Sequence, residues 1–173
     1  MNINITATRS TIIDVFSVKS GLLWNSVLVL GFACVTALLS QVSFWIGPVP
    51  ITGQTFAVLI SGVLLGSRRG ALSQLTYLAI GATGIPFWFA LGGPIGVARI
   101  IGPTGGYLIG FIAAAFLVGL LAEKGWGQKV WKLSLAMMAG TIIIYAFGIS
   151  WLTYFLPIQN VLQVGVYPFV IGD

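Results

Sequence analysis

Apolar residues fill this chain in long runs, and the charges that interrupt them set its plan. Between Lys19 and Arg68 lie 48 uncharged residues, too many for one helix across a hydrocarbon core of about 30 Å, which takes about 20 residues. Gly47-Pro48-Val49-Pro50 breaks that run, because proline has no amide donor and disfavours helix just before itself. The pattern predicts two helices, over 21–42 and 53–66. From Gly70 to Ala98 a further 29 residues are uncharged, yet helix is predicted only over 71–82, where Gly81-Ala82-Thr83-Gly84-Ile85-Pro86 ends it and opens a long connection, 83–104. A fourth helix is predicted from Gly105 to Ala122, after Gly102-Pro103-Thr104, and a fifth over 133–155, stopped by Pro157. The last apolar stretch, Val161 to Gly172, has 12 residues; as helix it rises about 18 Å and falls short of a crossing. It is either a capping stub or a sixth helix cut short. The expected fold is an all-α integral membrane protein, a six-helix bundle with the sixth helix incomplete and both ends cytoplasmic in the intact form.

The distribution of Lys and Arg gives the orientation. Arg9 and Lys19 lie on the N-terminal arm, Arg68 and Arg69 after the second predicted helix, and Lys124, Lys129 and Lys132 after the fourth. All seven fall on one side, which should be cytoplasmic, whereas the connections 43–52, 83–104 and 156–160 carry Arg99 alone. Arg68 and Arg69 read as topology determinants. Residues 1–20 are too polar to insert and show no small-residue cleavage pattern, so they read as a cytoplasmic arm and not a removed signal; 21–173 read as one membrane-embedded domain of a multi-pass protein in the cell membrane.

Composition narrows the chemistry. Of 173 residues 58% are hydrophobic and 6% charged, with no histidine and three acids. An acid–base pair, a histidine-dependent nucleophile and a histidine metal site are all excluded, and Cys34, the lone cysteine, excludes disulfide frameworks and thiolate clusters. No enzyme, no metal site and no cofactor of its own is expected. The net charge of +5 would suggest nucleic acid in a soluble protein; in loops between apolar runs it reads as anchoring to the lipid bilayer. Cys34 itself reads as a small buried apolar residue.

The two sides differ in their loops. The basic side has short connections; the other has long, nearly uncharged ones rich in Gly, Pro, Thr and aromatics. Non-helical backbone at membrane depth survives only when buried in protein or lining a cavity, so Pro50-Ile51-Thr52-Gly53-Gln54-Thr55, Gly84-Ile85-Pro86-Phe87-Trp88-Phe89 and Gly92-Gly93-Pro94-Ile95-Gly96 should converge on an outward-facing pocket. Glycines would let amides approach a ligand, aromatics would grip its apolar parts, and Thr52, Gln54 and Thr104 would supply neutral hydrogen bonds. One cation among neutral donors suits a small, mostly apolar molecule with a carboxylate and an amide-like or ureido end. Arg99 is that cation, or else an interfacial anchor reaching to headgroups. Among the aromatics, Trp45 reads as interfacial belt, Phe87 and Trp88 as pocket or lid, and the Tyr107 hydroxyl could serve a ureido oxygen or merely backbone.

PITGQT at 50–55, GATGIPF at 81–87, GPTGGYLIGF at 102–111 and the closing PFVIGD at 168–173 together resemble the BioY family, the biotin-binding S components of energy-coupling factor (ECF) transporters. The resemblance implies a six-helix protein that takes biotin from the outer side, driven by a transmembrane coupling protein and two ATPase subunits; the chain has no phosphate loop of its own, so ATP would be used by those partners. It places Thr52 and Gln54 in a first outer loop at the ligand, and Gly84, Pro86 and Phe87 with Thr104, Gly105, Gly106 and Tyr107 in the pocket walls. Asp173 matches an acid near the ligand, which the family follows with a lysine three residues on. Ala33 and Ala37, four apart on the first helix, resemble the small-residue motif with which such components meet the coupling protein; ordinary internal packing gives the same spacing. An S component for another small vitamin and a passive small-solute channel are the rival readings.

Overall fold

The computed structural model describes residues 21–45 and 49–165. The first helix, α1 (Leu22–Ser40), is apolar nearly throughout. One face carries Ala33 and Ala37 into the core, where they are 0% and 7% exposed. The opposite face presents Val27, Leu30, Leu38 and also Cys34 outward, so the cysteine is not the buried residue expected.

After α1 the chain forms two short strands, β1 (Ser43–Trp45) and β2 (Pro50–Thr52), paired antiparallel with Ser43 opposite Thr52, Phe44 opposite Ile51 and Trp45 opposite Pro50. This short ribbon is the one addition among the described residues to the all-α bundle expected. Proline and glycine forbid helix here but leave the flanking residues free to satisfy their backbone groups across a hairpin.

Helix α2 (Gln54–Leu65) leads through the single residue Gly66 into α3 (Ser67–Ala82). Gly66 has φ +84°, a left-handed conformation that glycine adopts without the usual Cβ clash, and it reverses the chain in one residue. Arg68 and Arg69, expected in a loop with helix beginning at 71, therefore lie in the first turn of α3. A carboxylate brought from far along the chain completes the turn: the Ser67 amide and hydroxyl donate to Glu123 Oε1 at 2.7 and 2.9 Å. Helix starts favour such an anion. Glu123→Ala is expected to lower the unfolding temperature in detergent, the loss corresponding to about 1–2 kcal/mol, with Glu123→Gln in between.

The connection expected over 83–104 contains a short helix, α4 (Val97–Ile101). Helix α5 (Gly105–Glu123) follows, then a 3₁₀ turn (Trp126–Gln128), α6 (Val130–Leu152) and α7 (Ile158–Gly165). Helix α6 begins three residues before its expected start and α7 before Val161; residues 166–172 of the expected last helix lie outside the described residues, as does the arm 1–20. By length and composition α1, α5 and α6 can each cross a membrane. The 12 residues of α2 rise about 18 Å, and this helix is packed on α1, α3, α5 and α6. The core runs through Ala33, Val58, Tyr77, Ala114 and Ala115, all fully buried or nearly so. Leu38, Phe56, Met138 and Ile142 stand outward at 56–71% exposure, a surface that suits lipid and not water. The Ser67–Glu123 contact gathers Arg68, Arg69 and Lys124 at one end of the bundle; the ribbon, the connection 83–104 and the start of α5 gather at the other.

Candidate ligand-binding site

A narrow, partly open cavity lies at that second end, so the position of each wall decides what fits. The ribbon and the start of α2 contribute Val49, Pro50, Thr52, Gln54 and Thr55; the connection contributes Phe89, Ala90 and Arg99; α5 gives Thr104, Tyr107, Leu108 and Phe111, and α6 gives Ile144 and Tyr145. Three segments distant in sequence thus surround one apolar hollow with a few polar groups at fixed points, the usual make-up of a small-molecule site.

The polar groups are held before any ligand arrives. Thr52 Oγ1 donates to Gln54 Oε1 at 2.9 Å, and Gln54 Nε2 donates to the Tyr77 hydroxyl at 2.5 Å. Tyr77, at 0% exposure, stacks on Trp88 with ring centroids 6.0 Å apart, meets Phe89 edge-on at 5.4 Å, and accepts the Trp88 indole N–H on its carbonyl at 2.8 Å. The first and second outer connections are thereby tied to α3 through one tyrosine, which the aromatic-belt reading of such residues does not reveal. Trp88 braces the wall from behind; Phe89 and Ala90 form its surface.

Arg99 is 4% exposed and lines the cavity, which does not fit an anchor reaching to headgroups. Desolvation by burial lowers its pKa from the ordinary guanidinium range, with Tyr77 acting the other way. A guanidinium so placed gains from any anion that reaches it. Its carbonyl accepts from Thr104 Oγ1 at 3.3 Å, fixing α4 against the start of α5.

Of the positions expected at the ligand, the structure gathers Thr52, Gln54, Arg99, Thr104 and Tyr107 around the cavity. Five others are placed elsewhere. Pro86 and Phe87 are exposed, and Gly84 sits at a turn with φ +82°. Gly105 and Gly106 serve packing: a Cβ at Gly105 would meet the Ile100 carbonyl, and one at Gly106 would meet Trp151 and Phe147 of α6. Tyr107 donates its hydroxyl to the Gly165 carbonyl at 3.0 Å. Asp173 lies outside the described residues, and so does the side chain of Trp45. Ala33 and Ala37 face the chain's own core, where their size lets α1 approach its neighbours. Thr55 and Phe89, the last residues of two runs expected to converge on the pocket, line it as well, whereas Phe111, Ile144 and Tyr145 were not expected here.

Residues 9–173 match the BioY family. The chain belongs to that family. Among its curated BioY relatives, the probable biotin transporter of Pyrococcus horikoshii is 41% identical over 142 residues, 82% of each chain. The biotin transporter of Thermotoga maritima is 41% identical over 143 residues, again 82% of each. The fold agrees as well: the S component for biotin from an ECF-type ABC transporter, known from a crystal structure, superposes with a TM-score of 0.74 at 28% identity, over 87% of this chain and 83% of that one. A BioY chain with three helices able to cross a membrane is a multi-pass membrane protein, and its relatives are named as transporters, not enzymes.

Proposed function

We propose that this chain is the biotin-capturing S component of an ECF-type transporter and that the cavity described above is its biotin site. The observation that carries the reading is the buried Arg99 in a narrow, largely apolar cavity whose other polar groups are neutral. Biotin has the matching parts: a carboxylate for the guanidinium, an apolar chain and fused rings for Phe89, Leu108, Phe111 and Ile144, and a ureido group for neutral hydrogen-bonding partners. Thr52 and Gln54 present such partners from the ribbon side, Thr104 from α5, and Asp173 would add an acceptor for the ureido N–H groups. Polyphosphate ligands would demand more positive charge than one guanidinium.

Capture alone does not move the vitamin inward. A binder that holds its ligand tightly releases it only when another conformation with weaker affinity is made populated, and that shift needs free energy from outside the site. In this reading the energy comes from a coupling protein and two ATPase subunits, with the chain itself binding no nucleotide.

Binding to the purified full chain, measured with biotin, riboflavin and thiamine in parallel, tests the assignment. Biotin should bind at least a hundredfold more tightly than either control and protect the chain from heat; equal weak binding of all three refutes the biotin site. Biotin flux into vesicles that hold this chain without partner proteins or ATP would favour the channel reading instead.

A further inference from the structure

The outer end of α1 carries a side chain with no place in the cavity yet in contact with its wall. Gln41 follows the last residue of α1, and its amide nitrogen lies 2.7 Å from the Phe87 carbonyl, 3.2 Å from that of Phe89, 3.3 Å from that of Ala37 and 2.8 Å from Ser40 Oγ. Ser40 Oγ in turn reaches the Trp88 carbonyl at 3.2 Å. Three successive carbonyls of the second outer connection, at 87, 88 and 89, are therefore held by two adjacent residues at the end of α1. The orientation of the amide follows from these acceptors: turned over, its oxygen would face carbonyl oxygens. In the orientation adopted, Gln41 Oε1 is buried with no hydrogen-bond partner among the described residues, a cost that the donor side must outweigh.

The backbone at the far side of this staple is strained. Phe87 has φ +61°, the one non-glycine residue with positive φ among the described residues, and a bulky side chain adopts that region only where its surroundings enforce it. The shortest of the Gln41 bonds falls on the carbonyl of this residue. Two residues on, Phe89 and Ala90 are cavity wall.

We infer that Gln41 is a positioning residue for ligand capture: its amide sets the wall Phe89–Ala90 by clamping the carbonyls of Phe87 and Phe89, and so governs how long the ligand stays. This rests on the cavity being the biotin site. Loosening the clamp should leave the bundle intact and let the wall open more often, which raises the dissociation rate more than it lowers the association rate.

Two variants test it in the full-length chain in nanodiscs. Gln41→Met keeps the volume and removes the donors; Gln41→Asn keeps the amide and withdraws it by one methylene. Both are expected to release biotin about tenfold faster and, without ligand, to exchange the amide hydrogens of Trp88–Ala90 about tenfold faster. Ser26→Ala, which removes a hydrogen bond to Leu22 elsewhere on α1, should change neither rate. Wild-type rates in either readout for both variants overturn the inference, and so does loss of the fold in both, which would make Gln41 a support of the whole bundle. Should the unaltered chain fail to bind biotin, the proposed function falls, while the exchange rates of residues 88–90 still decide the role of Gln41.

Discussion

Replacing Arg99 with methionine is expected to weaken biotin binding by roughly a hundredfold. At 4% exposure the guanidinium is held out of bulk water, and without it the biotin carboxylate would enter the cavity with no counter-charge; truncating one partner of a buried charged pair costs about 3 kcal/mol, roughly a hundredfold in affinity. Biotin amide, with no carboxylate charge, should lose less than about threefold. Arg99→Lys should fall between, since an ammonium keeps the charge and loses the planar fork that grips both carboxylate oxygens. Equilibrium binding of the two ligands to the three proteins separates the cases: equal losses for biotin and its amide would place the carboxylate elsewhere.

That Arg99 could be singled out from the sequence follows from the solvent. Lipid tolerates few charges and little open backbone, so the spacing of charges marked the helices, and a single cation amid Gly-rich connections stood apart. The same constraint made the pocket end legible before any coordinates. What the pattern hid depends on contacts between distant positions. Ser67 begins α3 because Glu123, 56 residues later, accepts from it, and no local signal announces that partner. Gly105 and Gly106 are ambiguous in the sequence, since a missing Cβ serves equally a ligand near the backbone or a helix near the helix; Trp151 and Phe147, some 40 residues on, decide for the second. Ala33 and Ala37 pose the same ambiguity between a foreign helix and the chain's own. Gln41 and Tyr77 are single polar-bearing residues in apolar surroundings with no spacing to mark them. The available signal was the cost of burying such groups without partners.

The wall that Gln41 clamps from one side is seated from the other by a missing side chain, and Gly81→Ala is expected to lower biotin affinity by roughly thirtyfold without unfolding the chain. A Cβ at Gly81 would overlap the far end of the Phe89 ring, which also packs at right angles to Tyr77. The ring can move, so the fold survives. Its ways out are restricted by Tyr77 and Trp88, themselves fixed through the indole–carbonyl bond, and the open direction is the cavity. In so narrow a cavity a displaced ring edge takes the place of ligand atoms; overpacking of this kind costs about 2 kcal/mol, which converts to roughly thirtyfold. A second substitution tests the cause. Phe89→Leu shortens the side chain and makes room for the new methyl, so Gly81→Ala combined with Phe89→Leu should bind biotin more tightly than Gly81→Ala alone, a non-additivity that adjoining residues show and independent ones do not. Additive losses across that cycle would mean that the alanine acts through α3 and not through the wall.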